Sequence, residues 1–283
     1  SFNRVMSELA THKSQMSSEQ FNVLQLLEGY KAGIEGNYKS AETLLNQLIN
    51  SDALLEVRFR AAFTLANIQS LSRNFVPAFT NLNLALSWID KIEKPELRVQ
   101  VLISAAYTYS ESGLFDESQS YILQARQNTL TDRDSCLLGL LYRQNMHSRN
   151  ETYEGEQVSE IEQACTSANE RLALAFMTAL DAQLLESKQQ HAAAYTLLQD
   201  GLAAAEQSKY PRLIADYYLG LARTSYALKE VTSATLYLDK IHAMSQSLGF
   251  SMPLVRSYEL QTQIAEESND ISRALKFHKL FLK

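Results

Sequence analysis

Five histidines, His12, His147, His191, His242 and His278, are scattered along the 283 residues. None falls in a His-Glu-x-x-His helix motif, and no Cys-x-x-Cys pair occurs. The side chains that usually hold zinc are therefore not at ligand spacing. Gly33 and Gly36 precede a helical pattern, but no strand comes before them, so they are not a phosphate-cradling turn. A Gly-x-Ser-x-Gly elbow is absent. Carboxylate pairs such as Glu266-Glu267 and Asp132 with Asp134 sit in polar segments and read as solvated surface. These residue types predict no catalytic, cofactor or metal site, and hence a chain that is not an enzyme.

Cys136 and Cys165 are the two thiols of the chain. Around a turn centred near residue 150 they are about equally distant from its centre. In an antiparallel pair of helices, equal distances put two residues at one height. Gly139, Ala164 and Ala168 are small neighbours that would allow the close approach a disulfide needs. Two readings stand. One is a structural disulfide and an oxidising compartment. The other is a pair of buried, small, apolar residues in a reducing one.

The elements that position these groups are helices. Only four prolines and nine glycines interrupt the chain, which is 46% hydrophobic and so able to bury a sizeable core. The net charge of -6 offers no basic excess to displace counterions from phosphates, so a nucleic acid is not an expected partner. Apolar runs such as Leu137 to Tyr142 fall far short of the ~18 residues that would predict membrane insertion. The start at Ser1-Phe2-Asn3-Arg4 and the end at Leu280-Phe281-Leu282-Lys283 read as those of a processed or cloned piece of a longer protein.

A repeat runs through the sequence. Gly36-Asn37-Tyr38-Lys39-Ser40-Ala41 is followed by Leu45 and Leu48, and Arg73-Asn74-Phe75-Val76-Pro77-Ala78 by Leu82 and Ala85. The same frame recurs with Ser118, Ala194, Ala234 and Ala274 at the small position. The spacings are 37, 40, 76, 40 and 40, so one degenerate copy lies between Ser118 and Ala194. The small residue opens a second helix where it crosses its partner closely. The residue three before it plugs the hairpin end, and those four and seven after it face inward. One hairpin cannot bury that face alone, so neighbours must stack. Polar stretches at 127–134 and 148–157 read as a junction and a loop within one repeat domain, 1–283, in which residues 1–16 form a leading helix or cap.

This pattern resembles the tetratricopeptide family. Its first-helix small position, twelve before the second, holds Gly29, Ala66, Ala106, Ala182, Ala222 and Thr262. The period of about 40 exceeds the usual 34 of that family and predicts longer helices. The family's Trp near the repeat start and Pro near its end are mostly missing. The resemblance implies an all-α, right-handed superhelical solenoid of about seven hairpins, with first helices lining a concave groove. In that register Arg60, Phe63, Asn67, Tyr107, Arg143, Gln144, Gln183, Arg223 and Tyr226 point toward the groove. Arginine and tyrosine anchors suit a protein or peptide partner, or an acidic small ligand.

The long period, the cysteines and the closing stretch Ala274 to Phe281 also resemble the periplasmic sensory region of bacterial membrane-bound diguanylate cyclases, the GGDEF enzymes. That implies an input domain for signal transduction, a cyclase lying beyond Lys283, a periplasmic location and a possible homodimer. A cytoplasmic tetratricopeptide regulator, of transcription or of peptide-sensing type, and an assembly scaffold are the other readings.

Overall fold

A computed structural model of the chain describes residues 2–149, 151, 155–249 and 251–282. Among these residues there are sixteen α-helices and no strand. They run α1 (Phe2–Thr11), α2 (Ser18–Ile34), α3 (Tyr38–Ile49), α4 (Leu55–Leu71), α5 (Phe75–Trp88), α6 (Pro95–Glu111), α7 (Phe115–Arg126) and α8 (Asp132–Ser148). Then come α9 (Gly155–Ser167), α10 (Arg171–Ser187), α11 (His191–Gln207), α12 (Pro211–Ala227), α13 (Val231–Ala243), the short α14 (Ser245–Leu248), α15 (Met252–Glu267) and α16 (Ile271–Phe281). No described helix is long and apolar enough to cross a membrane. Of the expected loop at 148–157, residues 150 and 152–154 lie outside the described residues.

The chain divides into two compact units, Ser1–Asn145 and Met146–Lys283. In the first, α2–α3, α4–α5 and α6–α7 pack as hairpins, and the first helices α2, α4 and α6 lie side by side. In the second, α10–α11, α12–α13 and α15–α16 do the same, with α10, α12 and α15 adjacent. Helices α8 and α9 occupy the sequence position of the degenerate copy. The chain is thus an all-α helical repeat. First helices are 16 or 17 residues long, as the long period requires.

Each hairpin closes in one way. Five residues before the small position the backbone turns left-handed: Gly36, Arg73, Gly113, Gln189, Lys229 and Asn269 all have φ between 56° and 83°. The next residue's N–H then bonds back five residues, as from Asn37 to Ala32 O and from Glu230 to Ser225 O at 2.8 Å. This bond satisfies a carbonyl that the helix end leaves open. Four of the six are not glycine, although left-handed backbone disfavours a Cβ. The turn is therefore imposed by packing on both sides rather than by local freedom.

Ala41, Ala78, Ser118, Ala194 and Ala234 are fully buried, as are Ala66, Ala106, Ala182 and Ala222 on the first helices. A serine is tolerated at 118 because its Oγ donates to Ala106 O at 2.7 Å. Buried polar groups in the first unit join neighbouring first helices: Ser104 Oγ donates to Asn67 Oδ1 and Ser110 Oγ to Asn145 Oδ1, both at 2.6 Å. A satisfied pair of this kind costs little to bury and fixes the register of one helix against the next.

Four expectations are corrected. The plug position works for aromatic rings, but the β-branched Val231 and Ile271 are too short to fold back over the hairpin and stand exposed. In the last hairpin His278 and Phe281 do not face inward; α16 is turned so that Ala274 and Phe277 are its buried pair. Asp134 is not solvated surface but buried, where it accepts from Thr131 N at 3.0 Å and Thr131 Oγ1 at 2.7 Å and so caps α8. Arg143, expected in the groove, is fully buried because α8 is covered on more than one side. Cys136 and Cys165 are both buried and disulfide-bonded.

Candidate functional site

The two units treat their predicted groove residues differently. In the first unit most are absorbed by packing. Phe63 is buried edge-on against Phe59, with ring centroids 5.4 Å apart. Asn67 is taken by Ser104. Tyr107 packs on the cluster of Leu102, Ile122 and Leu138. Gln144 Nε2 donates to Glu111 Oε1 at 3.3 Å. Arg60 alone of this set is exposed.

In the second unit Gln183, Arg223 and Tyr226 share one face. The reason lies in the register: residues one and four after a small first-helix residue emerge beside the equivalent pair on the next helix. Ala182 thus presents Gln183 and Glu186 on α10, and Ala222 presents Arg223 and Tyr226 on α12. Arg223 and Glu186 meet as a two-pronged pair, Nε to Oε2 at 2.8 Å and Nη2 to Oε1 at 3.2 Å. Their side chains are 27% and 14% exposed, so the pair is largely but not wholly withdrawn from water.

Around this pair lie six more polar groups. His147, from the last turn of α8, has its pKa lowered, first by burial and then by Arg223; Glu186 and a hydrogen bond with Gln183 oppose the shift, and Arg256 of α15 adds to it. Imidazole in this setting is disfavoured as a cation until an anion arrives. Tyr226 is pushed up to about 12 by burial and then by the Glu267 carboxylate of α15, with the nearby Gln263 amide opposing this. The face therefore carries two guanidiniums, two carboxylates, two amides, a phenol and a histidine. No side chain in it is a nucleophile held by a base. Its chemistry is that of exchangeable ion pairs and hydrogen bonds: a ligand carboxylate could take the place Glu186 holds on Arg223, and the amides could meet a peptide backbone.

Glu186 and His147 were missed in the sequence reading. Glu186 stands at the same offset from Ala182 as Tyr226 from Ala222, so the register could have found it. His147 follows a degenerate copy without a clear small position and had no such signal. Tyr107, Tyr109, Tyr217, Tyr218 and Tyr226 all lie on first helices. Tyr217 and Tyr218 prove to be buried. Tyr217 Oη donates to Ala175 O at 3.1 Å, and Tyr218 Oη to Glu206 Oε1 at 2.6 Å. Among the described residues no group of three or more metal-ligating side chains is assembled.

No family model matches the chain, and no curated protein matches it. Among solved structures the chain is similar to a Rap protein complexed with competence and sporulation factor. The two are 15% identical with a TM-score of 0.65, and the match covers 92% of this chain and 76% of that one. At that identity the likeness is one of fold, a tetratricopeptide-like helical repeat.

Proposed function

We propose that this chain is a non-catalytic receptor module that binds a peptide or protein segment on the first-helix face of its second unit. The carrying observation is the convergence of Gln183, Glu186, Arg223, Tyr226 and His147 from successive helices onto one half-exposed face. In helical repeats of this kind, stacked first helices offer an extended surface on which a partner touches several repeats at once. The solved Rap protein carries competence and sporulation factor, which supports a bound partner here also.

The bonded state of Cys136 and Cys165 supports an extracytoplasmic setting, since such bonds persist where the surroundings oxidise. On that reading the module is the periplasmic input domain of a signalling protein such as a diguanylate cyclase. A second reading, a cytoplasmic regulator of peptide-sensing type, fits the likeness to the Rap protein equally. Selection of a displayed random-peptide library on the folded chain tests the binding role. Enriched peptides should lose at least roughly tenfold in affinity for Arg223→Ala. Failure to enrich any peptide, or equal binding by R223A, would reject the assignment of this face. A free-thiol count on denatured, unreduced protein from its natural compartment separates the two settings: none for the first, two for the second.

A further inference from the structure

Two apolar surfaces in the chain have complementary form. On α16 and its capping residue Leu282, Ile271, Leu275 and Leu282 are 80%, 52% and 68% exposed, and His278 lies exposed between them. Their spacing of four, three and four residues puts them in one stripe along the helix. Arg273, Lys276 and Lys279 flank it, and α16 holds no Asp or Glu. In the first unit, α1, α2 and the start of α4 border a groove of about 570 Å³. Leu9, Met16, Val23, Leu27, Leu54 and Val57 give it an apolar floor and walls. Its lining carries one carboxylate, Glu19, and neither Lys nor Arg. Val23 and Leu54 are 41% and 56% exposed there.

We infer that the groove of one copy receives the α16 stripe of a second copy. An amphipathic helix seats in an apolar groove through residues at this spacing. The charges agree, because the basic flanks of α16 meet a lining whose only charge is negative. Like surfaces do not suit each other: two α16 helices would set lysine against lysine, and two grooves have no ridge to fill them. The contact is thus head-to-tail. Such a contact uses different patches on the two partners, so it closes on itself as a ring of copies or continues as an open chain. This inference does not rest on the proposed peptide-binding face, which uses other residues.

Sedimentation velocity of the whole chain across a wide concentration range is the test. Wild type should gain mass as concentration rises, and added salt should weaken the gain. Leu275→Asp and Val23→Asp should each lower association by roughly tenfold or more. An equimolar mixture of the two variants should form a dimer and nothing larger, because only one intact groove and one intact stripe can meet. Both sites are exposed, so folding should survive; far-ultraviolet dichroism checks this, and Leu282→Glu with Leu54→Lys provides a second pair. A wild-type monomer at every concentration, or a variant mixture that stays monomeric, overturns the inference. So does capture by anionic vesicles without self-association, which would make α16 a membrane-surface helix.

Discussion

Replacing Glu186 by Gln is the most informative change on the candidate face. It keeps the shape of the side chain and removes the charge that holds Arg223 by two hydrogen bonds. Exposed ion pairs contribute about 0–1 kcal/mol, and breaking a buried one costs about 3–5 kcal/mol. With side chains 27% and 14% exposed, this pair falls between those limits. A loss of about 2 kcal/mol follows, or roughly 6–8 °C in the melting of the second unit. The substitution also removes the carboxylate that raises the pKa of His147, leaving Arg223 and Arg256 to lower it. The folded value should drop further below the ordinary 6.5.

The sign of the pH effect is then fixed. A group whose folded pKa lies below its unfolded one binds fewer protons when folded, so stability is full above 6.5 and is lost as pH falls through that value toward the folded pKa. Glu186→Gln should therefore widen the gap in melting temperature between neutral and mildly acidic solution. Proton resonance of the His147 ring, followed against pH, reads the shift directly. Replacing both partners with Met and Leu should cost less than Glu186→Gln alone, because no guanidinium is then left without its anion. An unchanged His147 titration together with an unchanged melting temperature would refute this account of the face.

Lys229→Gly should stabilise the second unit by up to ~1 kcal/mol in urea titration, since the left-handed backbone at 229 penalises a Cβ, whereas Lys229→Val should destabilise it by ~1–2 kcal/mol. His242 is half-buried against Tyr258 and Phe277, with ring centroids 4.9 and 5.4 Å away. Its pKa is lowered first by burial, with Lys276 and Arg273 acting the same way and Asp239 opposing, so His242→Phe should remove part of the stability loss below pH 6.5. Ala222→Leu, at a fully buried helix crossing, should cost ~1–3 kcal/mol by overpacking, measured by thermal unfolding. Reduction of the cysteines should lower stability by roughly 2–4 kcal/mol in the same assay, with Cys136→Ser behaving alike.

The repeat was legible in the sequence because close crossing of helices forbids large side chains, and that constraint leaves Ala or Ser at fixed spacing. The turns were half legible: Gly36 and Gly113 declare a left-handed residue, while Arg73, Gln189, Lys229 and Asn269 conceal the same backbone. The candidate face was legible in direction only. Register says which way a side chain leaves its helix, but not what covers it, so Arg143 and Phe63 were placed in the groove and are buried instead. Glu186 escaped because a solitary carboxylate on a helix looks solvated until its arginine on the next helix is known. The groove beside α1 depends on three separate elements meeting and left no local pattern to read.

The shared turn has a consequence for how such a chain can change. Every described hairpin joint that carries a left-handed residue ends its first helix in the same backbone state and resumes through the same bond five residues back. A joint defined by conformation, and not by a particular side chain, is a standard connector. Cutting at Gly113 and again at the equivalent Gln189, or Lys229, removes whole periods and brings together two chain ends already shaped to fit. Hairpins are then units of exchange: arrays can lengthen, shorten or trade a binding repeat by recombination at these points, while each side chain on the exposed face drifts under its own selection.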